Sequence, residues 1–305
     1  MSRHFHELRT EELSTTIGDH AAHGRHEPDY SGIWQLHSRH ESRPLFIPEY
    51  CGFNFEFIAP VDEENIFEPR WHPSELLVEQ EGRAVVIHQS PTPSHKVESW
   101  LEFRTAGPSH IDWCFRYRLE DPGLFADALA GFFFASYIDR PENKAIYLLS
   151  RDVYDALMWN QFCTVFQGHR AAVTWEEDAY DYAFGPRDHG LYSSRAPIRY
   201  HLPLFYGRQD DMVLAVLFER PQGVVICHGM GGGGYVEDRS DRNPAWDFFL
   251  YTSAASSHAE GAWRGRLLYK PFAGRHDILH EYRRMMADFG HQWEIPAYGP
   301  AGGRD

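Results

Sequence analysis

Val97-Glu98-Ser99-Trp100-Leu101-Glu102-Phe103-Arg104-Thr105, followed after Gly107-Pro108-Ser109 by Ile111-Asp112-Trp113-Cys114-Phe115-Arg116-Tyr117-Arg118-Leu119, is the stretch that decides the fold. In the first arm Val97, Ser99, Leu101 and Phe103 alternate with polar or amphipathic neighbours. In the second, Ile111, Trp113, Phe115 and Tyr117 do the same. Strict period-two alternation marks half-buried strands, and Gly-Pro-Ser between them is turn chemistry, so the two arms form a hairpin.

The same signal recurs outward from this hairpin. Cys51–Ile58 alternates Phe53, Phe55 and Phe57 against Asn54 and Glu56, and Arg83–His88 is a β-branched run. Gly131–Ile138, Lys144–Leu149, Ala171–Trp175, Ile198–Tyr206, Met212–Glu219, Gly223–His228, Trp246–Thr252 and Gly261–Tyr269 continue the series. One helix closes it. Ile278, Leu279, Tyr282, Met285, Met286 and Phe289 recur at helical spacing, with Asp277 as the expected cap and Gly290 beyond the end. About a dozen strands without intervening helices predict an all-β fold, a large antiparallel β-sandwich with a C-terminal helix. The expected organisation is a polar N-terminal arm over 1–29, one sandwich domain over 30–290 and a tail over 291–305.

Composition limits the function. The 305 residues are 43% hydrophobic and 15% aromatic, enough apolar surface for a large core. No apolar run reaches the length of a membrane span, and the amino terminus lacks the apolar stretch of a secretion signal. A cytoplasmic location, with no membrane partner, is therefore expected. The formal charge of −15 opposes binding to nucleic acid. Cys51, Cys114, Cys163 and Cys227 show no CxxC spacing and read as reduced thiols.

Several chemistries have no motif here: there is no GxGxxG after a strand, no P-loop, no GxSxG and no HExxH. No cofactor is expected. No tightly held metal is expected either, since no local chelating pair exists. The glycine run Gly229–Gly234, apart from Met230, lacks the Lys-Ser/Thr of a phosphate cradle and reads as a loop beside a ligand or a sheet corner.

Candidate functional groups lie in four places. His37–Arg43 combines imidazole, carboxylate and guanidinium: His40 and Arg43 can bind substrate, and Glu41 can serve as acid or base. His88–Glu98 is a Pro-stiffened loop with His95 near its end, and Trp100 beyond it can stack on a sugar ring or be buried between sheets. Alternation places Arg199, His201 and Pro203 on one strand face, with Tyr206 and Arg208 at the strand end. His228 ends a strand just before the glycine run. Each histidine has an alternative reading as a satisfied structural side chain.

Asn243-Pro244-Ala245-Trp246-Asp247-Phe248, Leu267-Leu268-Tyr269-Lys270-Pro271-Phe272 and Phe133-Phe134-Ala135-Ser136-Tyr137-Ile138 resemble stretches of a set of bacterial β-sandwich proteins, over roughly residues 30–289. The order of elements is similar to the galactose-mutarotase-like β-supersandwich of sugar epimerases and of domains in polysaccharide lyases and glycosidases. The resemblance is architectural, and no epimerase His and Glu carry over residue by residue. It implies a small carbohydrate ligand: a sugar, sugar acid or short oligosaccharide. The expectation is an enzyme, an epimerase, lyase or hydrolase, using His95, His201, His228 and Glu41 for proton transfer. His40, Arg43, Trp100, Tyr206 and Arg208 would hold the substrate. The competing expectation is a non-catalytic carbohydrate-binding sandwich.

Overall fold

The structure is a computed structural model that describes residues 4–60, 65, 67–125, 129–164, 171–178, 180, 182, 194–234, 243–253, 259–296 and 298. Three strands open the chain: β1 (Phe5–Arg9), β2 (Leu13–Gly18) and β3 (Gly32–Ser38). Next come β4 (Asn54–Ala59), the one-turn helix α1 (Glu68–Trp71), β5 (Ser74–Glu79), β6 (Ala84–Gln89), β7 (Val97–Gly107) and β8 (His110–Leu119). The middle holds β9 (Leu129–Ala135), β10 (Ile146–Arg151), β11 (Leu157–Phe162), β12 (Ala171–Trp175), β13 (Ser194–Tyr200) and β14 (Leu204–Gln209). β15 (Met212–Phe218), β16 (Val224–Gly229), β17 (Ala245–Ser253), β18 (Glu260–Pro271) and helix α2 (Arg275–Asp288) complete it.

β1, β2 and β3 form a small antiparallel sheet. The other fifteen strands join one ladder in the order β4-β9-β17-β16-β12-β13-β10-β14-β15-β18-β8-β7-β6-β5, with β11 paired to β10. Neighbours run antiparallel except β12 and β13, which are parallel. The predicted hairpin is β7 with β8, placing Leu101 opposite Phe115 and Phe103 opposite Trp113.

Three layers of side chains follow from the two-residue period. Phe132 and Phe134, Ile226, Phe248 and Leu250 point into the central core shared with Leu101, Phe103, Trp113 and Phe115. Their in-between neighbours, Phe133, Ala135, Val225, Cys227, Phe249 and Tyr251, form a second cluster on the opposite face of β9, β16 and β17. On the other side of the sandwich Val213, Ala215 and Leu217 pack under Ile278, Leu279, Tyr282 and Met285 of α2. Strands buried on both faces lose visible alternation, which is why these read in sequence as plain apolar runs.

The structure departs from expectation in four places. Residues 5–18, expected within a polar arm, are strands whose Leu8, Leu13 and Ile17 enter the central core. Residues 1–3 of that segment lie outside the described residues. The single strand expected over Ile198–Tyr206 is two, because the chain breaks at residues 201–203, where Pro203 has no N–H to give a ladder. Helix α2 starts at Arg275 after Gly274, two residues before the expected cap; Asp277 instead accepts a hydrogen bond from Lys270 Nζ at 3.1 Å. Beyond Gly290, whose φ of 87° suits glycine, Trp293, Ile295 and Tyr298 pack against the cluster under α2, while the Gly-rich end from Pro300 lies outside the described residues. No helix of the described residues is long and apolar enough to cross a membrane.

All four cysteines are free. Cys51 and Cys227 are fully buried, and burial pushes their thiols well up, whereas Cys163 is exposed. A thiol reagent is therefore expected to modify Cys163 first in the native protein and Cys51 and Cys227 only on unfolding. Recovery of fewer than four thiols after denaturation without reductant would contradict this assignment.

Candidate functional site

The histidines singled out in the sequence are held by separate partners. Buried His228 accepts from the Thr164 backbone N–H at Nδ1 (3.1 Å), which leaves Nε2 to donate to the Lys144 carbonyl (2.7 Å). That is the bonding of a structural histidine. His95 Nδ1 lies 2.6 Å from Glu68 Oε2, and its Nε2 lies 3.2 Å from the Pro60 carbonyl. Glu68 is fully buried; burial raises its carboxyl, but hydrogen bonds from the His95 ring and from the Ser94 and His95 backbone outweigh this and lower it. The pair pins the 90–96 loop onto α1. His201, in the break between β13 and β14, bonds through Nδ1 to Glu176 Oε1, and Glu176 Oε2 takes Arg151 Nε at 3.1 Å. It is the half-exposed member of the three.

The expected substrate-binding residues gather only in part. Arg43 pairs with Asp210, whose carbonyl accepts from Arg208 Nη2 at 2.8 Å; Glu41 accepts from the Arg43 backbone N–H at 3.0 Å. Glu41, Arg43 and Arg208 thus meet beside the β14–β15 turn, engaged with acids and carbonyls of the chain itself. Tyr206 is buried, its ring stacked on Tyr147 and its hydroxyl accepting from Arg275 Nε at 3.0 Å. His40 Nε2 stands 3.6 Å from Glu12 Oε1. Trp100 is half-buried on the outer face of β7, stacked against His88 with the Arg116 and Arg118 guanidiniums each 5.5 Å from its ring.

A different set of groups converges on the second cluster's face. Phe55 pairs with Phe134 and Phe57 with Phe133, so Glu56 is the extra residue of a β-bulge in β4. Bulges re-aim side chains. Here Phe55 points into the central core, Phe57 into the second cluster, and Glu56 joins the tyrosines beside Phe57. Glu56 Oε1 accepts from the Tyr137 hydroxyl at 2.9 Å and from Arg70 Nη1 at 3.2 Å. Arg70 reaches it from α1, donates from Nε to the Asp29 carbonyl at 3.1 Å, and lays its guanidinium 4.1 Å from the Tyr30 ring centre and 5.1 Å from that of Phe67. Tyr30, Tyr50 and Tyr137 close around the pair with ring centres 4.9 to 5.7 Å apart.

The glycine run belongs to this neighbourhood. Gly234 has φ 76°, and a Cβ there would sit 2.6 Å from Tyr50 Cε2, so glycine lets the loop close on the tyrosine. Tyr30, Tyr50 and Arg70 are half-buried, while Glu56 is only 9% exposed. Burial raises the Glu56 carboxyl, and Arg70 and Tyr137 pull it only part of the way back. Burial also drives the Tyr137 hydroxyl well up and Tyr30 to about 12, so both are hydrogen-bond donors at neutral pH. Glu56 Oε2 has no bonded partner among the described residues. The arrangement sets a carboxyl of raised affinity for protons beside tyrosine hydroxyls and a guanidinium, which can exchange a proton with a polar group that reaches it.

Sequence reasoning passed over Glu56 because alternation assigns it to the solvent face of a half-buried strand. One signal was present: Phe57-Ile58-Ala59 is three apolar residues in succession, which breaks the period just after Glu56. Arg70 carried no local signal beyond its aromatic neighbours Phe67 and Trp71.

No protein-family model and no curated protein matches the chain. Solved structures resemble it at low identity, three of them with TM-scores below 0.5. The α-N-acetylgalactosaminidase NagBb from Bifidobacterium bifidum is 10% identical with a TM-score of 0.49, over 93% of this chain and 39% of that one. A galactose mutarotase-like protein from Lactobacillus casei ATCC 334 is 8% identical with a TM-score of 0.45, over 88% of this chain and 100% of that one. The protein HI1317 is 7% identical with a TM-score of 0.45, over 87% and 91%. The chain spans 39% of the length of NagBb.

Proposed function

We propose that this protein binds a small carbohydrate on the tyrosine-lined face around Glu56 and Arg70, and that Glu56 transfers a proton to or from the bound ring. The observation that carries the reading is the bulge-borne carboxyl of Glu56, raised by burial and held by Arg70 and Tyr137 among three tyrosines. A carboxyl whose hold on its proton is strengthened by burial is the equipment of general acid catalysis. Tyrosine faces suit the apolar faces of a pyranose, and Arg70 N–H groups suit its ring oxygen, hydroxyls or carboxylate. Epimerisation, β-elimination and hydrolysis all draw on this set. His201, backed by Glu176, is a second proton-transfer candidate, outside the tyrosine cluster.

One observation favours a non-catalytic binding role: Glu56 Oε1 is already engaged by Arg70 and Tyr137, as in a structural ion pair. A panel of free sugars, sugar acids and short oligosaccharides separates the two. An enzyme converts at least one of them. A binding module converts none, yet gains about 2.7 kcal/mol of stability when the bound sugar is present at 100 times its Kd. Neither conversion nor a melting shift across the panel would remove carbohydrate as the ligand class.

A further inference from the structure

The two ends of the fifteen-strand ladder are finished differently. β4, at one end, is buried at every position and has α1 packed against it. β5, at the other, pairs only with β6, and none of its backbone groups makes a further backbone hydrogen bond among the described residues. An uncovered edge presents a row of free N–H and C=O groups, a template for another extended chain. The side chains around it point the same way. Of the seven large apolar side chains exposed among the described residues, two lie on β5 itself: Leu77 (39% exposed) and Val78 (46%). Apolar side chains left exposed on an edge strand mark a site where another chain can pair.

Charge selects the partner. Alternation puts Glu75, Leu77 and Glu79 on one face of β5, and Glu81 follows in the turn to β6. A second copy of the strand paired about a two-fold axis at Leu77 would set Glu75 against Glu79 of the copy. Like charges directly opposite one another are destabilising in that register, and two copies that each carry a net charge of −15 repel in any register, which disfavours self-association. An incoming strand with basic side chains opposite the glutamates and apolar ones opposite Leu77 meets no such repulsion, and the net charge of −15 draws it in.

We infer that β5 is a docking edge for an extended, basic segment of a partner polypeptide, which adds to the sheet as a further antiparallel strand. The probe is a short fluorescent peptide alternating lysine and valine, titrated against the whole protein by anisotropy. A second peptide has the same sequence with alternate backbone nitrogens methylated along one edge. The plain peptide is expected to bind. Methylation on the pairing edge or Leu77→Lys in the protein should weaken binding at least tenfold; Leu77 is exposed, and circular dichroism confirms that the variant is folded. Equal binding of both peptides would reduce the effect to non-specific charge and overturn the inference. So would absence of binding by the plain peptide, or a concentration-dependent dimer of the protein alone that Leu77→Lys dissolves.

Discussion

Glu56→Gln is expected to lower turnover of a converted sugar by about 100- to 10,000-fold, the usual contribution of a positioned acid or base. Glutamine keeps the shape and can still accept from Tyr137 and Arg70, so binding of the same sugar should change little. The pH dependence carries the same information. Burial raises the folded-state carboxyl above its ordinary value, so the folded chain holds this proton more tightly than the unfolded chain. The acid form, and any activity that depends on it, is present at lower pH and lost as pH rises through the raised value. This group's contribution to stability declines over the same window. Glu56→Gln should remove that limb from both profiles. A variant with wild-type turnover would leave Glu56 a structural carboxylate.

Arg266→Ala is expected to produce the largest loss of stability, about 3–5 kcal/mol, because removing one member of a buried ion pair strands the other. Arg266 is 2% exposed on β18, with Nε 2.7 Å from Asp112 Oδ1 and Nη1 2.9 Å from Asp288 Oδ2 near the end of α2. It ties the hairpin strand β8 and the helix to the same point of the sandwich. The melting temperature should fall on the order of 10 °C. Replacing both partners with apolar residues, Arg266→Met with Asp112→Leu, should recover much of the loss, because no buried carboxylate is then left unpaired. Loss below about 1 kcal/mol for Arg266→Ala, the level of an exposed pair, would mean that water reaches the site.

The hairpin of β7 and β8 was legible because one face of each arm is buried and the other is largely solvated, so alternation survives in the letters. Helix α2 was legible for the same reason at a period of 3.6 residues. β1 was not: Phe5-His6-Glu7-Leu8-Arg9 commits only Leu8 fully to the core, and one apolar contact leaves no pattern. β5, lying at a bare edge, reads Ser74-Glu75-Leu76-Leu77-Val78-Glu79 and alternates poorly because neither face is fully covered. The site was less legible than the fold. Histidines advertise chemistry in a sequence, yet two of the three histidines among the proton-transfer candidates, His95 and His228, spend both ring nitrogens on nearby protein groups. Glu56 owes its place to one inserted residue in a ladder, and its partners Arg70 and Tyr137 come from other elements. Such a constellation forms only when the sheet closes.

The most direct test of the account is to locate the bound sugar. With the Arg70 Nε–H and the tyrosine rings followed by NMR, a sugar that raises the melting temperature is titrated into the protein. Arg70, Tyr30 and Tyr50 are expected to shift together with one Kd, while the His95 and His201 rings stay in place. Saturable shifts at His201 and Glu176, with Arg70 and the tyrosines unmoved, would contradict it and move the ligand to the other side of the fold's candidate chemistry.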